Sequence, residues 1–164
     1  MALPIKKSSK SFKNLFGELE GSKSKDLLEL LQKDYQKEIE EAARLQSHAQ
    51  DLRYEHLRNK LIEIAQVEKK HADILKNLIT KLGGTPPEVQ TEKPTDQAKP
   101  TFQKLIEDLE TETDDYWETL DAIFNSEQKG HLEIIPELEK IREEEATLRD
   151  ELLDILQVVN PYTM

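Results

Sequence analysis

The sequence predicts an all-α fold, an antiparallel four-helix bundle with one long crossover. Three observations carry this. Ala, Leu, Glu, Lys and Gln dominate and glycine is scarce, at 5 of 164 residues, which is the composition of long helices rather than of sheet. Apolar residues recur at steps of three and four along four stretches. The breaks between those stretches run short, long, short, and that is the connectivity of a bundle whose second and third helices are joined by a crossover.

Helix α1 is expected over about residues 24–51, capped by Ser24 or Asp26. Its stripe reads Leu28, Leu31, Tyr35, Ile39, Ala42, Leu45 or Gln46, Ala49 and Leu52. Helix α2 is expected over about 54–82, with Leu57, Leu61, Ile64, Leu75, Leu78 and Leu82 on one face and Gly83-Gly84 as its stop. The joint between them holds no Gly or Pro and is short, so the two helices should be antiparallel neighbours. Residues 83–100 carry four prolines and no periodicity. Extended, they span roughly 55–60 Å at about 3.3 Å per residue, against about 40 Å for α2 at its 1.5 Å rise. This linker can therefore cross the length of the bundle. Helix α3 is expected over about 101–127, with Thr101 as cap and a stripe of Leu105, Leu109, Glu112 or Thr113, Tyr116, Leu120 and Ile123 or Phe124. Helix α4 follows Lys129-Gly130 over about 131–159. Pro136 lies in its first turn or at a kink, and Asn160-Pro161 ends it. Its stripe is Leu138, Ile141, Glu145, Leu148, Leu152, Ile155 and Val159.

The bundle thus occupies residues 24–160, behind a basic N-terminal arm at 1–23. Residues 1–25 hold six lysines against Glu18 and Glu20, a net charge of +4, while the whole chain carries −11. The remainder is therefore at −15, an acidic body that attracts cations and argues against nucleic acid as partner. Leu3, Ile5, Phe12, Leu15 and Phe16 could form an amphipathic turn on a membrane surface or partner, although a mobile or loosely docked arm is the simpler expectation. The arm lacks the long apolar region of a secretory signal, and no apolar run approaches 18 residues, so a cytoplasmic location is expected. Absence of cysteine excludes disulfides, thiol catalysis, thiolate zinc and iron–sulfur sites in this chain.

Two polar residues interrupt the α2 stripe. Glu68 and His71 stand where Leu or Ile belongs, and their i, i+3 spacing puts both on one face. If that face is the core, both must be paired or bound to a metal. Helix α4 repeats the pattern: Ile64, Glu68, His71, Leu75, Leu78 match Ile141, Glu145, Leu148, Leu152, Ile155 step for step. Glu112 precedes Glu145 by 33 residues, and the same interval back from Glu68 lands on Tyr35.

Carboxylate-bridged di-metal bundles take one Glu from each of two helices and Glu-x-x-His from each of the other two. Glu68-Lys-Lys-His71-Ala with the trailing Leu82-Gly-Gly-Thr-Pro resembles the second helix of the ferritin-like superfamily, in the style of its rubrerythrin and bacterioferritin branches. The resemblance covers about residues 24–159. It implies metal ligands at Glu68, His71, Glu112 and Glu145, with iron, or manganese, in a di-iron or single-metal site. Two positions depart: Leu148 replaces the second His, and Tyr35 the first-helix Glu. Glu38, about one turn away, could take the place of Tyr35 if α1 rotates, or could face solvent beside Ile39. A tyrosine can itself ligate ferric iron.

The alternative is a buried hydrogen-bonded network of Glu68, His71, Glu112 and Glu145 with Tyr35 and Tyr116, towards which Arg142 and Arg149 could turn. Converging carboxylates without a cation must bind protons or splay apart. His48, His56 and His131 lie near helix ends and read as surface or capping residues; Trp117 reads as packing at a helix or subunit interface. The functional expectation is a ferritin-like metal-binding protein, forming a homodimer or higher homo-oligomer, with oxidase- or peroxidase-type chemistry in stress or iron handling. With no cysteine, the reductant for such chemistry would come from a partner. Two alternatives stand beside it: a bundle without metal that acts as a structural or interaction module, and a coiled-coil hairpin that binds partner helices, which would be an extended rod.

Overall fold

In the computed structural model, residues 27–92, 95 and 97–161 are described. The basic arm, and with it the caps expected at Ser24 or Asp26, lies outside them. Among the described residues four helices run in order: α1 Leu27–Ala49, α2 Glu55–Lys81, α3 Thr101–Gln128 and α4 Ile135–Val159, the last preceded by a 3₁₀ turn at Leu132–Ile134. There is no strand among the described residues. Pro136 sits in the first turn of α4, where its missing N–H costs nothing. Pro100, not Thr101, occupies the cap position of α3, and no side chain caps it.

Two helix ends are made by glycine. Gly83 at φ 82° lets its N–H reach the Thr80 carbonyl while the Gly84 N–H reaches that of Ile79. Gly130 at φ 76° repeats the device, with His131 N–H on the Ser126 carbonyl at 2.8 Å. The linker leaves α2 beside the start of α1, where the Gln32 side-chain amide donates to the Thr85 carbonyl at 2.8 Å. It ends at α3, whose Lys104 binds Asp51 just beyond the far end of α1 at 2.7 Å. The crossover therefore traverses the bundle lengthwise, α1 pairs with α2, and α3 with α4.

The core is divided. At one end Leu45, Leu52, Leu61, Ile64, Leu105, Leu148, Leu152 and Ile155 form one apolar plug. At the other, Leu27, Leu31, Leu78, Ile79, Ile123, Ile134, Leu138 and Ile141 form a second. Fully burying each such side chain is worth about 1.5–3 kcal/mol. Between the plugs the inward positions are polar. On α1 the expected Tyr35 and Ile39 are only half-buried, and Asp34, Glu38 and Glu41 face inward instead. On α3, Asp108, Glu112, Asp115 and Thr119 are buried, whereas Leu109, Tyr116 and Leu120 are half-buried and Phe124 is exposed. Both helices are thus turned relative to the expected stripes. The cause is that the apolar residues concentrated at the ends fix the rotation, and the middle follows.

Candidate metal centre

The polar belt between the plugs is set by helical period. Glu38 and Glu41 are one turn apart on α1, Glu68 and His71 one turn apart on α2, and Glu112 and Glu145 come from α3 and α4. Each is between 0 and 4% exposed. His71 anchors one side. Its Nε2 lies 2.8 Å from an oxygen of Glu144, a half-exposed carboxylate on α4. Its Nδ1 faces Glu68 at 3.2 Å and Glu38 at 3.7 Å, without a hydrogen bond of good geometry to either. On the other side the Thr119 hydroxyl donates to Glu145 Oε1 at 2.8 Å.

Among the described residues two groups of potential ligands result, and Glu68 belongs to both. Glu38, Glu68 and His71 offer donor atoms within 4.8 Å of one another, and so do Glu41, Glu68 and Glu112. One oxygen each of Glu38, Glu68 and Glu145 is buried without a hydrogen-bond partner, as is His71 Nδ1. The electrostatics follow from this crowding. Burial, with Glu38 nearby, pushes the Glu68 carboxyl up to about 8. Burial likewise lifts Glu145 to about 8, against the bond from Thr119. Glu38, Glu41 and Glu112 are all raised, first by burial, and in Glu41 and Glu112 also by neighbouring carboxylates. For His71 burial works against the charged ring, but the Glu38 and Glu68 carboxylates prevail and raise it to about 11. Such a set of converging oxygens with one imidazole suits hard-to-borderline divalent cations. A cation shared through Glu68 would offset the repulsion and use the unpartnered oxygens.

Of the residues singled out from sequence, Glu68, His71, Glu112 and Glu145 share the belt, and Glu38 joins them. Tyr35 does not: it lines a surface groove with Ile39, Ala42 and Lys69 and packs on the second plug. Leu148 is buried in the first plug. Arg142 and Arg149 turn to Tyr116 rather than to Glu145; Arg142 donates to its hydroxyl at 3.1 Å, and the Arg149 guanidinium lies 5.9 Å from its ring centre. His48 is neither a surface nor a capping residue. It is 1% exposed, with Nδ1 2.6 Å from Asp108, which also accepts from Arg44 at 2.9 Å. Trp117 is 49% exposed in the single chain. Glu41, and Glu144 against His71, are site residues that the sequence did not single out. For Glu41 the signal was the run Asp34, Glu38, Glu41, Leu45, His48, which repeats the 4-3-4-3 steps of the α2 stripe and sets Glu38 and Glu41 where that stripe has Glu68 and His71.

The family model described as rubrerythrin matches residues 29–153. The fold is similar to that of an open-pore ferritin from the hyperthermophilic archaeon Archaeoglobus fulgidus, at a TM-score of 0.68 and 19% identity over 83% of this chain and 86% of that one. A humanized archaeal ferritin superposes with a TM-score of 0.70 at 19% identity, over 83% and 84% of the two chains. The chain thus has the ferritin-like fold. No curated protein sequence matches it.

Proposed function

The chain belongs to the rubrerythrin family, and from that premise we propose that it binds iron between its helices, as a two-ion carboxylate centre. The observation that carries this is the position of Glu68 in both ligand groups. Glu68 would bridge the two ions. Glu38 and His71 would complete one position, Glu41 and Glu112 the other, and Glu145, its second oxygen unpartnered, would turn towards the pair. His71 is held ready by Glu144, which fixes the ring and directs Nδ1 to the carboxylates. Bound iron would supply redox chemistry with oxygen or peroxide. The chain's part is to hold the ions in a layer closed above and below by apolar plugs. Reductant would come from a partner, since the chain has no cysteine, and the ferritin-like fold is consistent with self-assembly into a homo-oligomer. Ferrous loading under anaerobic conditions followed by metal analysis tests the reading. The expected result is about two ions per chain in the native protein and loss of binding in Glu68→Leu; a native protein that retains only trace iron would overturn it.

A second reading has one observation in its favour. The position matching the second imidazole is Leu148, 3% exposed and packed in the apolar plug. The Glu41–Glu68–Glu112 position then has oxygen donors alone. On this reading the centre binds cations without oxidase or peroxidase turnover, and the bundle serves as a structural or interaction module. Oxygen uptake by the iron-loaded protein separates the two.

A further inference from the structure

Beside the centre lies a second acidic group that the ligand sets do not use. Asp34 on α1 and Asp115 on α3 are 8% and 7% exposed. Asp34 Oδ1 and Asp115 Oδ2 are both buried without a hydrogen-bond partner. Between the two helices stands the Lys37 ammonium. It binds Asp115 and donates to Glu118 at 2.9 Å, while Lys33 reaches Glu118 from outside at 3.6 Å. Exposure is graded along this line. The Glu118 side chain is 30% accessible, Lys37 24% and Asp115 9%. Asp115 in turn lies against Glu41, one of the ligands of the two-ion centre. A row of carboxylates therefore runs from solvent to the centre, Glu118, Asp115, Glu41, and a tethered cation sits across it.

Buried oxygens without partners are costly, and two of them, Asp34 Oδ1 and Asp115 Oδ2, belong to the carboxylates beside the Lys37 ammonium. We propose that this row is the vestibule through which divalent cations reach the centre, and that Lys37 is its gate. The ammonium holds the place a cation would take in transit, and the four-carbon stem, partly exposed, is long and flexible enough to swing out. The row attracts cations as a lined cleft does; Lys37 opposes them until it leaves. The proposal rests on the metal reading above and adds a route and a gate to it.

Cobalt(II) serves as the probe, because its visible absorption reports a protein-bound ion without any turnover. Native protein, Lys37→Met and Glu118→Gln are mixed with Co²⁺ in a stopped-flow instrument, and rate and final amplitude are read separately. The expected result is an initial rate about threefold or more faster in Lys37→Met and about threefold or more slower in Glu118→Gln, at an unchanged final amplitude. Rates that agree within a factor of two in all three proteins would overturn the gate while leaving the metal reading in place. No amplitude in the native protein would remove both. Circular dichroism checks that each variant is folded; if Lys37→Met is not, Glu118→Gln decides alone, a slower rate supporting the route and an unchanged one rejecting it.

Discussion

Replacing Glu68 by Gln in the metal-free protein should stabilise it, and by an amount that depends on pH. Glu68 is 1% exposed, and its carboxyl is held at about 8 against an ordinary 4.5. An acid whose folded value is raised binds its proton more tightly in the native state. Its full contribution is therefore present below pH 4.5 and is lost as pH rises towards 8. Each tenfold gain in proton affinity on folding corresponds to about 1.4 kcal/mol. Relative to a permanently neutral side chain, Glu68 then costs the fold about 1 kcal/mol at pH 5 and about 4 kcal/mol at pH 8. Gln keeps the shape and cannot ionise. In urea titrations followed by circular dichroism in excess chelator, the variant should gain up to about 3 kcal/mol more over the native protein at pH 8 than at pH 5. Glu145, also raised to about 8, and Asp34, raised to about 7, act in the same direction, so the native apoprotein itself should weaken from pH 5 to pH 8. A gain equal at both pH values, or a loss at pH 8, would refute the account of the belt as buried, mutually repelling carboxylates. On the metal reading the ranking should reverse when metal is added, because Gln offers one neutral oxygen where the carboxylate offers two charged ones.

The two-ion arrangement predicts that Glu38→Gln and Glu41→Gln each abolish a different position; calorimetric titration with Mn²⁺ should show about two ions per native chain and about one per variant. Asp108→Leu strands Arg44 and buried His48 without their shared carboxylate, and thermal or urea denaturation should record a loss of about 3–5 kcal/mol. Gly83→Ala and Gly130→Ala meet no atom within 4 Å, so their cost is the positive φ alone, about 1 kcal/mol each by denaturant midpoint.

The bundle was legible because its determinants are local. Composition, the Gly83-Gly84 and Lys129-Gly130 stops and the proline-bearing linker fix four helices and one crossover without reference to any distant residue. The α2 and α4 faces were legible for the same reason: leucine and isoleucine flank Glu68, His71 and Glu145 on both sides, so the period passes through the polar residues. The faces of α1 and α3 were not. There the middle turns offer two stripes, an apolar one through Tyr35 and Ile39 or Tyr116 and Leu120, and an acidic one through Glu38 and Glu41 or Glu112 and Asp115. Hydrophobic periodicity selects the first. What selects the second is packing at the ends, where Leu27, Leu31, Leu45 and Ala49 on α1, and Leu105, Ala122 and Ile123 on α3, are buried in the plugs. A rigid helix buried at both ends cannot choose its rotation in the middle. Projecting the second helix pair onto the first led to Tyr35 because it assumed equal spacing. The interval from Glu38 to Glu68 is three residues shorter than that from Glu112 to Glu145.

That conflict between local preference and global packing bears on function. The belt adds nothing to the apolar core: leucine and isoleucine are buried in two plugs, and apolar residues at Glu38, Glu41, Glu68, Glu112 and Glu145 would remove a repulsion that burial makes expensive. A sequence that turns its half-buried Tyr35, Ile39, Tyr116 and Leu120 outward in order to aim carboxylates inward departs from its own best packing. Departures of this kind occur at sites where something other than the chain completes the interactions. Protons can do so at low pH, as the raised carboxyls indicate. A proton shared between two carboxyls can link them, and Glu68 lies against both Glu38 and Glu112. A pair of divalent cations would use the same placement, with Glu68 within reach of both ligand groups. Glu68→Leu separates the two readings: it releases ions from a cation centre, whereas in a protonated network it only relieves repulsion and leaves no metal to lose.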